Sequence, residues 1–458
     1  VSEVLLSKVF ENKDFRFDTD FWTKEPKINP SLKYMKIGDC LKISQYGISI
    51  SMNEEERGIP IYRMNEIHNM LCDFSVSKYA DTTEKELEIF RLNDRDVLFN
   101  RTNSFEWVGR TGIFYEQSKQ DFIFASYLVR FVPNEEIILP EYLTTYLNTR
   151  YGIWDLKRRA RQSINQTNIN PEEVKESLIP ILDKSFQLQI KSFFEISRDS
   201  LKLSQQKYTE AENLLLETLN LKDFQPTNES VNIKTLKESF LQTGRLDAEF
   251  YQKKYEEYFN IISKKDYSTI GKEYEQINDR VENFSEYNYI EIGDVNVSNG
   301  ESKPNIVLAE DLPANAKIKA KKGDVLISKV RPYRGAVSII EENYSNLVVS
   351  GAFTVLRPKN NSVYSAEFLK VLLRTELYKD WLLQFNVGTS YPVIKDEDIL
   401  NLRIPIVSES VHLKIAEYIQ KANQLRTEAQ SLLQNAKLSV ENAIESQLAE
   451  NQNISGGG

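Results

Sequence analysis

Five cations interleave with aromatic and amide side chains between Arg150 and Asn168, in the run Arg150-Tyr151-Gly152-Ile153-Trp154-Asp155-Leu156-Lys157-Arg158-Arg159-Ala160-Arg161-Gln162-Ser163-Ile164-Asn165-Gln166-Thr167-Asn168. Cations neutralise phosphates, and Arg, Gln and Asn carry paired polar groups that match base edges, so the chemistry this composition offers is nucleic-acid contact. Lys157, Arg158, Arg159, Arg161, Gln162 and Asn165 are its candidate residues, with Arg101, Asn103 and Arg110 upstream. A second basic stretch holds Lys317, Lys319, Lys321 and Lys322 and continues through Lys329-Val330-Arg331-Pro332-Tyr333-Arg334-Gly335. Lys329, Arg331, Tyr333 and Arg334 are its candidates, joined by the polar loop Gly388-Thr389-Ser390-Tyr391, whose glycine permits close backbone approach. A solvated charged face would account for any one of these residues. Cations that recur just after similar β-prone runs, in two parts of the chain, favour binding. The net charge of −9 opposes it. The acids, however, gather in Asn53-Glu54-Glu55-Glu56 and Glu84-Lys85-Glu86-Leu87-Glu88, and the local field decides.

Other chemistry lacks its parts. The two histidines, His68 and His412, are too few for a histidine metal site or a Ser-His-Asp triad. No Gly-x-x-x-x-Gly-Lys-Ser/Thr loop, Gly-x-Gly-x-x-Gly turn or Asn/Asp-Pro-Pro-Tyr/Phe signature occurs. No pair of carboxylates stands out as poised for acid–base work. No catalytic residue and no metal is therefore expected, and His412 is expected at the surface or capping a helix. Cys40 and Cys72 fit no zinc or disulfide pattern and read as reduced core residues. No run approaches the eighteen or so apolar residues of a membrane span, and Val1-Ser2-Glu3-Val4 does not open like a signal peptide, so the expected location is the cytoplasm.

The elements that must position these residues are written twice. Arg16-Phe17-Asp18-Thr19-Asp20-Phe21-Trp22 returns as Arg245-Leu246-Asp247-Ala248-Glu249-Phe250-Tyr251, an offset of 229 (16 to 245). Ile61 to Ile67 answers Tyr289 to Val295, and Asp94-Arg95-Asp96-Val97-Leu98-Phe99 answers Lys322-Gly323-Asp324-Val325-Leu326-Ile327, both at 228 (94 to 322). Glu141-Tyr142-Leu143 answers Glu367-Phe368-Leu369 at 226 (141 to 367), and Ile179-Pro180-Ile181 answers Ile404-Pro405-Ile406 at 225 (179 to 404). So slow a drift over so many blocks marks two copies of one module.

Each copy opens with short β-prone runs and one helical stretch and closes on a segment free of Pro and Gly, near 186–220 and again near 410–447. The class is α+β: two repeated domains separated by two long helices, which a pseudo-two-fold internal repeat lets pair antiparallel as a coiled coil. Leu201, Tyr208, Ala211 and Leu215 on the first helix and Leu425, Ala429, Leu432 and Ala436 on the second form the expected seam, stepping three or four residues at a time. The expected boundaries are a first domain over 12–184, a helix over 185–222, a linker over 223–244, a second domain over 245–408, a helix over 409–450 and a flexible tail over 451–458.

This order of features resembles the specificity subunits of Type I restriction–modification systems. The resemblance rests on the duplicated Arg-x-Asp-x-Asp/Glu-Phe block, the Gly293-Asp294-Val295 turn, the Gly323-Asp324-Val325-Leu326 strand entry, the Gly388-Thr389 loop and the two apolar-Pro-apolar segments. Members usually carry Glu-Gln ahead of each long helix, where this chain has Phe186-Gln187 and Val411-His412. The resemblance implies two target-recognition domains, each reading half of an asymmetric bipartite site in double-stranded DNA, and helices that set the spacing and dock two methyltransferase subunits. Restriction/translocase subunits join through those. S-adenosylmethionine, ATP and Mg would sit on the partners, with no cofactor in this chain and no membrane. A specificity subunit of a methylation-only or other phage-defence complex is an alternative, and a stand-alone adenine methyltransferase a more distant one.

Overall fold

The computed structural model describes residues 4–12, 15–26, 28–116, 120–164, 166–280, 282–388 and 391–455. Its contacts divide into two compact units, one of residues 1–201 with 426–458 and one of residues 202–425.

In the first unit the strand Val97–Asn100 lies between the antiparallel strands Leu128–Pro133 and Thr111–Ile113, and Leu41–Tyr46 continues the sheet beyond Leu128–Pro133. Every residue of Val97–Asn100 is buried, because both faces of the strand are covered. Successive side chains point to opposite faces. Val97 and Phe99 accordingly meet Tyr142, Leu143 and Phe194, while Leu98 meets Tyr62, Phe114 and Phe124. The second unit repeats the plan with other residues: Val325 and Ile327 face Phe368 and Leu372, and Leu326 faces Ile290 and Val349.

The aspartate of the Asp-Val-Leu block has a matching role in both units. Asp96 accepts from the Asn93 amide (2.9 Å) and lies 3.4 Å from Arg130 on the neighbouring strand. Asp324 accepts from the Lys321 amide (2.9 Å) and takes two bonds from Arg357, at 2.7 and 2.9 Å. In both cases the carboxylate closes the turn into the strand and is neutralised across the sheet.

A helix pair follows in each unit. In the first it is Pro140–Asn148 and Arg150–Arg159, joined at Thr149, whose hydroxyl accepts from the Gly152 amide at 3.2 Å. Gly152 sits so close to the preceding helix that a Cβ would stand 2.2 Å from the Tyr146 carbonyl oxygen. In the second unit Ala366–Arg374 and Glu376–Leu383 turn on Thr375 in the same way.

The long helices run over Lys184–Thr218 and Glu409–Ser455. The first stops four residues short of the expected 222, because Asn220 takes a left-handed conformation (φ 53°) suited to ending a helix. The second continues through the expected tail as far as Ser455; 456–458 lie outside the described residues. The segment 223–244 is bonded into the second unit through the Thr227 amide to Glu257 and through Asn232 to Tyr251 and Glu256.

Along the first helix the buried or half-buried positions Gln187, Ile190, Phe194, Ser197, Leu201, Ser204, Tyr208, Ala211 and Leu215 alternate steps of three and four, a period of 3.5. The second helix departs from the expected seam at Leu432, which is only half-buried while Leu433 faces the core. Its buried positions Ala422, Leu425, Ala429, Leu433, Ala436, Val440 and Ile444 follow the 3.6-residue turn of a straight helix. Within the first unit the Ser197 hydroxyl donates to the Ala429 carbonyl (3.0 Å), and within the second Ser204 donates to that of Ala422 (2.7 Å). Small residues at these positions let the two backbones approach.

The fourth residue of each long helix explains a difference between the copies. Leu139 has no side-chain cap for the helix it opens, and Gln187 supplies one by accepting from its amide at 2.8 Å. In the second copy Ser365 caps its own helix through the Phe368 amide (3.1 Å), so the position answering Gln187 is free to hold a ring. His412 fills it. It is not the surface or capping residue expected: it is 4% exposed, against Tyr364 and Phe368, and neither ring nitrogen has a hydrogen-bond partner among the described residues. Burial pushes its pKa below the ordinary value. Below about pH 6.5 the unfolded chain therefore binds a proton that the folded chain resists, and stability falls with pH through that window. His412→Gln should remove this slope from the second unit's urea midpoint between pH 7.5 and 5.5. A slope unchanged in His412→Gln would place its origin elsewhere.

Candidate nucleic-acid interface

Three of the first copy's candidate residues, Asn103, Arg161 and Gln162, meet in one small sheet although they lie far apart in the chain. Arg161–Ser163 pairs with Gln166–Asn168, which pairs in turn with Thr102–Asn103. The Thr102 hydroxyl donates to Asn168 (2.6 Å) and the Ile169 amide to the Arg101 carbonyl (2.9 Å), so the base of the Arg161–Asn168 hairpin is anchored where the buried strand Val97–Asn100 ends. Arg161, Gln162 and Ser163 are all exposed. Arg101 lies over the Tyr46 ring at 5.2 Å and Asn103 is half-buried beside the hairpin. Asn165 lies outside the described residues.

Lys157, Arg158 and Arg159, with Arg110 from the preceding loop, face inward, whereas Arg150 is exposed at the start of its helix. Lys157 donates to the carbonyls of Phe105, Glu106 and Val108 and so fastens the loop before Arg110; burial lowers its pKa. Arg110 stacks on Trp107 at 3.9 Å and donates to the Ile67 carbonyl at 3.0 Å. Arg158 and Arg159, with side chains 7% and 6% exposed, both bind Asp155, at 2.6 and 3.0 Å, and Arg159 also reaches Glu173 at 2.9 Å. Burial alone would raise the Asp155 carboxyl; Arg159 and Arg158 outweigh it and hold the pKa below the usual range. In this structure Arg158 and Arg159 are structural ions, and the expectation that they contact nucleic acid is corrected. The helix Arg150–Arg159 buries the very face on which they stand three and four residues beyond Asp155.

The duplicated Arg-x-Asp block has no such exposed role, and its function in the fold could not be read from the sequence. Arg16 grips Asp18 (2.7 and 2.6 Å), lies over Phe21 at 4.6 Å and donates to the carbonyl of Arg159, at the end of the helix before the hairpin. Arg245 grips Asp247, lies over Phe250 at 4.6 Å and donates to the carbonyls of Phe385 (3.3 Å) and Asn386 (2.8 Å). Each arginine thus holds the last turn from which the candidate loop departs.

The second unit builds the counterpart with different side chains. Val387 bridges Val393, which bridges Val330, the same three-strand order as in the first unit. Arg331 lies over the Tyr391 ring at 4.5 Å and its amide donates to the Pro392 carbonyl. Lys329 is held by Asp396 at 3.1 Å, which also accepts from Thr354 at 2.6 Å. Tyr333 and Arg334 are exposed on a short 3-10 turn between Arg331 (φ 48°) and Gly335 (φ 69°). Gly388 is exposed with φ 105°, a conformation that favours glycine; Thr389 and Ser390 lie outside the described residues. Among the described residues no group of three or more His, Cys, Asp or Glu is placed to hold a metal, and no helix is long and apolar enough to cross a membrane.

Fold and site together define a duplicated module in which the polar ribbon of the first copy is answered, in the second, by the bridged residues Val387, Val393 and Val330 beside Arg331 and Tyr391. Residues 253–436 match the family model of the Type I restriction modification DNA specificity domain. The chain named as the type I restriction enzyme MjaX specificity subunit of Methanocaldococcus jannaschii is 24% identical over 430 residues, covering 92% of this chain and 96% of that one. The type I restriction enzyme HindI specificity subunit of Haemophilus influenzae is 34% identical over 134 residues, 29% of this chain and 28% of that one. Among solved structures, the S subunit of a Type-I restriction-modification system from M. genitalium aligns with 91% of this chain and 97% of its own, at 14% identity and a TM-score of 0.39. Residues 253–436 thus match a Type I restriction modification DNA specificity domain, and over most of its length the chain is similar to specificity subunits of Type I restriction enzymes.

Proposed function

We propose that each unit reads one half of a bipartite, asymmetric site in double-stranded DNA through its ribbon, with Arg161 and Gln162 prominent in the first and Arg331, Tyr391 and the loop beginning at Gly388 in the second. The observation that carries this is the convergence of sequence-distant polar residues on like-placed ribbons in both copies, at the exposed ends of buried strands. The paired long helices hold the two domains and dock two methyltransferase subunits, through which restriction/translocase subunits join. Support for antiparallel pairing comes from the two serine bonds: a step of seven residues up one helix, from Ser197 to Ser204, answers a step of seven down the other, from Ala429 to Ala422. The chain catalyses nothing itself; S-adenosylmethionine, ATP and Mg belong to the partners, and the complex works in the cytoplasm.

The test is to purify the chain with the methyltransferase encoded beside it and map methylated adenines across a genome. A bipartite motif is expected. Exchanging residues 12–184 for the equivalent domain of a relative should then change one half of the motif and leave the other. A change in both halves, or none, refutes independent reading. Heat from S-adenosylmethionine titrated into the isolated chain would refute the division of labour.

A further inference from the structure

Ile164 is 101% exposed, at the tip of the hairpin Arg161–Asn168. Only Ile164 and Asn165 connect the paired residues Ser163 and Gln166, and such tight connections are made by Gly, Asn, Asp, Pro or Ser, residues that turn easily and tolerate water. A β-branched apolar side chain there breaks the local rule on two counts, turn chemistry and exposure, with no packing to offset it. Its surroundings are polar: Arg161, Gln162, Ser163 and Gln166 are all exposed. The base of the hairpin is held by the Thr102–Asn168 bond and by Ile169, which is fully buried, so the tip is carried on a fixed stem.

We infer that Ile164 is a specificity-determining residue that reads the 5-methyl group of a thymine in the major groove. The inference rests on the DNA-reading function proposed above and names the atom read. A two-stranded ribbon fits the major groove, where thymine alone of the four bases presents a methyl group, and the matching contact is apolar. The flanking Gln162 and Gln166 carry the amide fork that pairs with adenine N6 and N7, so the tip as a whole suits a step rich in A·T pairs.

The test uses the complex with its methyltransferase and duplexes carrying the mapped site, in which each thymine of the half read by the first unit is replaced singly by deoxyuridine. That change deletes one methyl and nothing else. Wild type should lose about four-fold in affinity at one position, the worth of one buried methyl-sized group. Ile164→Ala should bind the unmodified duplex about four-fold more weakly and lose nothing further at that position, while Ile164→Val keeps the methyl sensitivity. Specific binding in which no deoxyuridine matters, or in which Ile164→Ala keeps the wild-type pattern, overturns the inference and leaves the DNA-reading function standing. Absence of any sequence-specific binding by the wild-type complex overturns both.

Discussion

Arg159→Ala should cost the first unit about 3–5 kcal/mol, the loss that follows when one member of a buried ionic set is removed and its partners stay behind. Asp155 and Glu173, 4% and 3% exposed, share that guanidinium. Arg159→Lys should rescue little, since an ammonium lacks the fork that reaches both carboxylates. Hydrogen exchange of the helix Arg150–Arg159, with the urea midpoint of the unit, measures the loss. The Asp155 share of this stability is present above about pH 4 and disappears as pH falls through its lowered folded value. Arg161→Ala should behave oppositely: stability within about 0.5 kcal/mol of wild type, and a DNA affinity whose salt dependence flattens by about one phosphate contact. Replacing Lys157, Arg158, Arg159 and Arg161 together would confound the two effects. A change below about 1 kcal/mol for Arg159→Ala would mean that the network is solvated.

How far the sequence could be read depends on the distance over which each feature is determined. Duplication, the β-runs around Val97 and Val325 and the long helices are local patterns, and the sheets and the helix spans reproduce them. The hairpin Arg161–Ser163 with Gln166–Asn168 pairs with Thr102–Asn103, a partnership set by how the sheet ends and invisible to any window. The inward turn of Arg158 and Arg159 did leave a signal, because Asp155 stands three and four residues before them on a helix, the spacing of ion pairs. A count of cations misses it. The shift from Leu432 to Leu433 left no such signal: both long helices cover globular core, the first through Ile190 and Phe194 and the second through Leu433 and Ala436, and only the second leaves the heptad register. His412 shows a third limit. Whether that position must be polar depends on whether Leu139 or Ser365 opens the facing helix, some fifty residues earlier in each copy.

In the second unit Arg357→Met should produce the comparable loss, about 3–5 kcal/mol, by leaving Asp324 buried and charged. Asp324 is wholly inaccessible, and its pair is the better made of the two copies: two bonds from Arg357, where Asp96 has a single 3.4 Å approach from Arg130. The strand Val325–Ser328 leads directly to Lys329 and Arg331, so loosening its entry should also weaken DNA binding by the assembled complex. Asp324→Asn in the same chain should restore most of the stability, because an amide oxygen can still accept from the Lys321 amide while the unpaired charge is gone. Hydrogen exchange of Val325–Ser328 and Phe353–Pro358 in the two single variants and the double one gives the coupling energy. A strongly favourable coupling identifies charge burial as the source of the loss. If Arg357→Met costs less than about 1 kcal/mol, the figure of an exposed pair, then Arg357, whose side chain is 27% accessible, gives way to water, and the turn from Lys321 to Asp324 holds the strand by its backbone bonds alone.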